Sequence, residues 1–227
     1  MTEESDRASV PRVEELCIDI GCTTQDEALE FVSPGDPVVF DSDFRLFGQG
    51  YVKARAIDDR LGCAVLCKLI EDEPPVDAWF AFTVQEEVGL RGAAVAANRL
   101  SPDMALVIEG TTAADGPDTE EHKRVCALGK GAVVPFMDRS TIYDRAMCEA
   151  IREAADRHGI PWQLKKYVSG GTDAAALQRS GAGVKVAAIA APVRNIHSPC
   201  CVAFVSDCEA VYNLTREYMN YLGDEKQ

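Results

Sequence analysis

The sequence predicts an α/β fold: a mixed sheet sandwiched by helices, with part of a small β-rich domain at the N-terminus. Three observations carry this expectation. From about Lys53 onward, apolar runs of strand length alternate with amphipathic helical stretches, the signature of a layered α/β domain. Several of those runs are apolar almost throughout, as strands covered on both faces are. Before Lys53 the segments are short and turn-rich, and none has the period of a long helix. The chain is therefore divided into a β-rich part, 1–52, and an α/β domain, 53–227.

Residues 1–11 read as disordered. Leu16, Ile18 and Ile20 alternate with other residues like a half-buried strand over 13–20. Thr24-Gln25-Asp26-Glu27 reads as the capped start of a short helix, and Ser33-Pro34-Gly35-Asp36 as a turn. Residues 37–40 and 44–52 read as extended. Leu61, Val65 and Leu69 share a face of a helix over 60–70. Residues 77–84 read as a central strand buried on both faces, followed by an Ala-rich helix over 92–100. Further buried strands are expected at 104–108, ending on Glu109, and at 132–136. A long helix opens at Ser140 or Thr141 and ends near His158, where Gly159 stops it and Pro161 follows. Residues 162–168 read as a strand leading into a Gly-rich loop, with a short helix over 173–179. A strand over 184–190 leads to Arg194-Asn195-Ile196-His197. Ser206-Asp207-Cys208-Glu209 reads as a capping box opening the last helix, to about Leu222.

Bulk properties exclude several function classes. The 227 residues carry a formal net charge of −14, which argues against nucleic acid as a partner. No apolar run is long enough for a membrane span, and the opening Met-Thr-Glu-Glu-Ser-Asp-Arg is too acidic and polar for a signal peptide. The nine cysteines are scattered, with Cys63, Cys67 and Cys148 in apolar or helical stretches, and no Cys-x-x-Cys pair occurs. They read as reduced, buried thiols in a cytoplasmic protein.

The stretch hardest to explain structurally is Thr83-Val-Gln-Glu-Glu-Val-Gly-Leu-Arg91. Glu86 and Glu87 stand side by side directly after an apolar run, where two acids need a compensating charge. A metal ion is the common compensator where chemistry is involved. Candidate co-ligands fall where predicted strands or helices meet loops: Asp58 before a helix, Glu109 at a strand end, His197 after another strand. The carboxyl ends of strands form the functional crevice of open α/β sheets, so these segments can converge. Asp, Glu and His without Cys suit zinc, cobalt or manganese. Taken singly, Asp58 or Asp59 reads as a helix N-cap and a lone histidine as structural. His158 complements a helix dipole, and His122 lies in a solvated charged loop.

The order of the motifs adds a resemblance. Ala-Ile-Asp-Asp-Arg-Leu-Gly (56–62), Thr-Val-Gln-Glu-Glu-Val-Gly-Leu-Arg-Gly-Ala (83–93), Ile-Glu-Gly-Thr-Thr-Ala-Ala-Asp (108–115), Ser-Gly-Gly-Thr-Asp-Ala (169–174) and Ile-His-Ser-Pro (196–199) follow one another. This series resembles the dinuclear metalloaminopeptidases of the tetrahedral type, glutamyl and deblocking aminopeptidases among them, some of whose members are labelled cellulase or endoglucanase. The resemblance runs from about Leu16 to the C-terminus. It implies a zinc-peptidase-like catalytic domain, with 1–52 as part of a β-rich dimerisation domain. It also implies hydrolysis of N-terminal residues from peptides by a metal-activated water, and homo-oligomers from dimer to dodecamer. By matching motif, Asp58 bridges two divalent ions, zinc or cobalt, Glu87 and His197 complete one site, and Glu109 ligates the second ion. Glu86 is the general base, and Gly170, Gly171, Thr172 and Asp173 flank the substrate pocket. Arg194 and Asp59 take supporting roles.

Two departures from the family pattern shape the expectation. Position 109 is Glu where better-known members have Asp. The pattern's N-terminal His-x-Asp motif has no counterpart, since no histidine precedes His122. The chain therefore reads as N-terminally truncated, with the second metal site weakened and one ion held by three side chains. Two other readings stand beside the aminopeptidase: a non-catalytic remnant or assembly subunit that keeps the fold, and a glycosidase, since paired carboxylates can cleave glycosides. The low aromatic content, 7%, and the His-carboxylate set weigh against sugar.

Overall fold

A computed structural model describes Val10 and residues 12–224. The expected disorder of 1–11 falls, Val10 apart, outside the described residues. In chain order the elements are α1 (Gln25–Leu29), β1 (Arg45–Phe47), β2 (Tyr51–Ala54), α2 (Ile57–Glu71), α3 (Arg91–Leu100), β3 (Met104–Thr112) and β4 (Ala132–Val134). Then follow α4 (Arg145–His158), β5 (Trp162–Leu164), α5 (Ala174–Gln178), β6 (Lys185–Val193), β7 (Cys201–Phe204) and α6 (Val205–Asp224). Short 3-10 turns lie at Val13–Glu15 and Glu121–Lys123. The chain forms two compact units, Met1–Val39 and Phe40–Gln227.

Within the first unit the capped helix and the turn form as predicted. Thr24 Oγ1 accepts the Glu27 N–H at 3.2 Å, and the Asp36 N–H donates to the Ser33 carbonyl at 3.1 Å. The strands expected at 13–20 and 37–40 do not form. An alternating pattern makes a strand only where it has a ladder partner and a face to bury. Here Leu16 is 61% exposed, Ile18 63% and Val38 68%, and no described residue of this unit is buried.

The second compact unit begins at Phe40. In it β1 pairs antiparallel with β2, and β2 pairs antiparallel with β7, so the hairpin joins a strand from near the C-terminus. The main sheet has the order β3-β6-β4-β5 and is mixed. β3 and β6 are parallel over nine residue pairs, β4 and β5 are parallel, and β4 meets β6 antiparallel at Val133 and Ala190. β6 is buried at every position after Lys185. Its alanines at 187, 188, 190 and 191 leave room for close packing on both faces. α6 packs against α2, α4 and β6, while α5 packs against β3, β6 and α3. Helices thus sandwich the sheet, as the sequence predicts.

Several boundaries move, each for a physical reason. Residues 77–84 form no strand: no other described segment pairs with them, and Trp79 is 78% and Val84 68% exposed. β3 continues to Thr112, because its pairing with β6 continues to Val193; Glu109 lies inside the strand rather than at its end. α4 starts at Arg145, capped by Asp144, whose side chain accepts the Met147 N–H at 3.0 Å. α6 begins at Val205, directly after β7, so Ser206 is no cap; Asp207 turns inward instead, taking the N–H groups of Gly129 and Gly131 at 2.6 and 2.7 Å. All nine cysteines are free. Cys148 is buried, but Cys63 and Cys67 lie on the exposed side of α2, whose inner face is taken by Val65 and Leu69. No helix among the described residues is long and apolar enough to cross a membrane.

Candidate metal centre and cleft

Three predicted ligands meet. Asp58, Glu87 and His197 each offer one ligand atom, and these atoms lie within 4.8 Å of one another. His197 Nε2 stands 3.1 Å from Glu87 Oε1 and 3.4 Å from Asp58 Oδ2. The Asp58 side chain is 15% exposed, while those of Glu87 and His197 are more than half exposed, so the group opens outward.

The backbone delivers these side chains through uncommon conformations. Ala56 precedes Asp58 with φ 52°, and Asp58 and Asp59 are non-helical, joined by a cis peptide; regular helix begins only beyond them. Gln85 (φ 61°) and Leu90 (φ 57°) bracket the glutamate turn, which closes through the Gly89 and Leu90 N–H groups on the Glu86 carbonyl. His197 (φ 58°) and Asn195 (φ 52°) shape the loop after β6. Left-handed backbone at non-glycine residues costs about 1–3 kcal/mol each and gathers at functional sites. The Arg194 guanidinium donates two bonds to Asp115, at 2.5 and 2.9 Å, which anchors the His197 loop. Two glycines permit close approach. Asp58 Oδ1 accepts the Gly110 N–H at 3.3 Å, and a Cβ on Gly110 would lie 2.9 Å from the Asp58 Cβ. A Cβ on Gly62 would lie 2.5 Å from the Ile108 carbonyl, where its N–H now reaches Asp59.

The surroundings are acidic. Burial, and then the neighbouring Glu87, push the Asp58 carboxyl upward, opposed by the Gly110 N–H and His197. Burial and the charges of Glu87, Asp173 and Asp58 lift Glu86 to about 7. Asp59, crowded by protein although it opens onto the cleft, is raised to about 8, first by lost solvation. Glu109 is raised well above the ordinary range by burial and by Asp58 and Asp59, with Lys165 opposing. Glu109 is not part of the three-residue group; it lies in the wall of the same cleft, a cavity of about 1090 Å³.

The predicted pocket loop also faces this cleft. Gly170, Gly171 and Asp173 line it, while Thr172 is buried and accepts the Ala174 N–H at 3.0 Å. Asp173 is 8% exposed and accepts the Thr83 hydroxyl at 2.5 Å, which ties the loop to the segment bearing Glu86 and Glu87. His158 and His122 stand apart from the cleft, His158 at 3.7 Å from Glu217 and His122 at 3.3 Å from Glu120. Sequence reasoning missed Thr83 and Lys165. Lys165 is 7% exposed with its Nζ donating to the Ser169 carbonyl at 2.9 Å, and a buried lysine among carboxylates is invisible in a linear reading.

Comparison with known proteins identifies a family. The M42 glutamyl aminopeptidase family matches residues 1–214. A relative from Acetivibrio thermocellus is 37% identical over 208 residues, covering 91% of this chain and 62% of its own length. The crystal structure of a TET aminopeptidase from a marine sediment archaeon of the Thaumarchaeota superposes with a TM-score of 0.91 at 35% identity, covering 97% of this chain and 64% of that one. The TET1 peptidase of Pyrococcus horikoshii, which assembles into a tetrahedron or a large octahedral shell, gives a TM-score of 0.77 at 37% identity, with 88% and 59% covered. The chain thus spans about three fifths of the length of the proteins it matches.

Proposed function

Because this chain belongs to the M42 glutamyl aminopeptidase family, we propose that it carries the catalytic machinery of a metal-dependent aminopeptidase acting on the N-terminal residues of peptides. The observation that carries the reading is the convergence of Asp58, Glu87 and His197 beside a glutamate that is not one of the three. One imidazole and two carboxylates, with donor atoms within 4.8 Å, are a donor set that fits zinc or cobalt. The two carboxylates also repel each other, and a divalent cation would remove that cost. When bound, such a cation supplies Lewis acidity, polarising the scissile carbonyl and making water a stronger acid. Glu109, with Asp58, is the candidate for a second ion; with only those two side chains that ion is held more weakly.

The chain's own groups have separable roles. Glu86, half-buried and lifted to about 7, can take a proton from the attacking water and return it to the leaving amine near neutral pH. Adjacent positions on one turn let Glu87 hold the cation while Glu86 stays free. Gly170, Gly171, Thr172 and Asp173 border the space a peptide N-terminus would enter. The carboxyl groups of Asp59 and Asp173 line that space and can hydrogen-bond a peptide's amino end. We place these functions in residues 53–227 and infer a homo-oligomer working on cytoplasmic peptides; the exposed Phe44 (70%) and Leu46 (67%) on the β1 hairpin support self-association.

The test combines metal titration with an aminopeptidase assay in zinc or cobalt. Glu87→Gln and His197→Ala should lower metal affinity at least ~10-fold. Glu86→Gln should keep metal affinity and lose ~10²–10⁴-fold in peptide hydrolysis. Equal hydrolysis by Glu86→Gln would remove it from the reaction, and metal binding without turnover in the parent chain would favour the assembly-subunit reading. Family membership weighs against the glycosidase reading.

A further inference from the structure

Lys165 is the only lysine or arginine buried among the described residues, at 7% exposure. Its Nζ donates to the Ser169 carbonyl at 2.9 Å, which ties it to the loop bearing Gly170 to Asp173. Among the described residues it makes no ion pair within 4.0 Å. A buried ammonium without a direct partner is costly, so nearby opposite charge must hold it. The sheet register shows where that charge lies. Glu109 pairs with Ala190, Ala190 with Val133, and Val133 with Gln163. Partners across a ladder share a face, so these four form one row across the sheet. Lys165, two residues beyond Gln163, returns to the same face. Cys126, packed with Val133 and Ala190 on that face, feels the Lys165 charge as well. Only the short side chains of Ala190 and Val133 fill the row between, and Glu109 and Lys165 both line the cleft.

We propose that Lys165 is a positioning residue whose ammonium serves Glu109 as a fixed counter-charge, and so weakens the hold of Glu109 and Asp58 on a divalent ion. The inference deepens the metal-site reading above and takes its ligand set from it. An ion arriving at Glu109 enters a cavity that already holds a positive charge, and like charges repel strongly where water is scarce. The charge of Lys165 is felt at Glu109, where it opposes the rise that burial causes. Asp58 and Glu86 answer instead to Glu87 and His197. Lys165 therefore acts on the Glu109 ion and leaves the group of Asp58, Glu87 and His197 to bind its own.

The test is calorimetric titration of the full chain with zinc and with cobalt, without peptide. Lys165→Met should tighten a Glu109-dependent binding step at least ~10-fold over the parent. Lys165→Gln, which removes the charge and keeps a donor for the Ser169 carbonyl, should do the same, so the result does not hang on one variant's folding. Lys165→Arg keeps the charge and should bind as the parent does. Adding Glu109→Gln to Lys165→Met should abolish the gain. Unchanged or weaker binding in both uncharged variants overturns the proposal, as does a gain that survives Glu109→Gln; a merely structural lysine would give the weaker binding. The metal-site reading fails on a different result, unchanged metal affinity in Glu87→Gln and His197→Ala, so the two failures are distinguishable.

Discussion

Asp173 ties the glycine-rich loop to the segment that bears Glu86 and Glu87. One carboxylate oxygen accepts the Thr83 hydroxyl, and the other is buried with no partner. Burial raises this carboxyl, and the Thr83 bond opposes the rise. Thr83 stands three residues before Glu86, so the bond fixes the entry to the glutamate turn. Asp173→Ala should release the exposed Thr83 hydroxyl to water, lower stability by about 1 kcal/mol or less and weaken metal binding at the three-residue group. Asp173→Asn keeps an acceptor and should cost less. Thr83→Val should mimic Asp173→Ala, and the double variant should be no worse than either. Urea unfolding and metal titration across this cycle check it; fully additive effects would show that the contact does not hold the turn. The meeting of Glu87 with Asp58 and His197 matches an expectation legible in the sequence, since two acids after an apolar run demand compensation. Thr83 carries no such demand and becomes visible only when the fold brings position 173 to it.

At the scale of elements, legibility followed the availability of partners. β6 reads as a buried strand and is one, because β3 and β4 flank it. Residues 77–84 read the same way and form no strand, because apolar character states a preference for burial without supplying a neighbour. Glu109 reads as a strand end only because Gly110 and the threonines after it look like a loop; pairing with β6 carries the strand on to Thr112. The start of α6 is a third case. A capping box was expected of Ser206 and Glu209, but β7 runs straight into the helix and Asp207 is drawn inward to two glycine N–H groups. Asp207 is 1% exposed, and it joins the first turn of α6 to the loop before β4. Asp207→Ala should strand both N–H groups and cost about 3 kcal/mol. Asp207→Asn, which offers one acceptor, should cost less. Chemical denaturation reads both, and a loss under about 0.5 kcal/mol for the alanine variant would mean that water replaces the carboxylate there.

For the whole molecule, the concentration of raised carboxyls in one cleft makes stability depend on pH in an unusual direction. Asp58, Asp59, Glu86, Glu109 and Asp173 are all shifted upward, Glu86 to about 7 and Asp59 to about 8, chiefly by burial. Unfolded, each would ionise in the ordinary range of 3.8 to 4.5. Between that range and about 8 the folded chain holds more protons than the unfolded one, so stability falls as pH rises. Carboxyls shifted downward, such as Asp115 beside Arg194, act in the opposite sense, but their contribution is lost only below the ordinary range and does not offset this fall. Their ionisation brings the chain towards its formal −14, adding mutual repulsion over the same window. In chelator, the melting temperature should therefore be higher at pH 5 than at pH 8. Added zinc or cobalt binds the folded state and requires deprotonated ligands, so its stabilisation should be small at pH 5 and large at pH 8. Ligand at 100 times its dissociation constant contributes about 2.7 kcal/mol. Scanning calorimetry at pH 5, 6.5 and 8, with and without metal, measures both trends. A melting temperature that climbs with pH in chelator would show that these carboxyls ionise freely in the folded chain, and that the cleft does not hold the charge deficit that a divalent cation would fill.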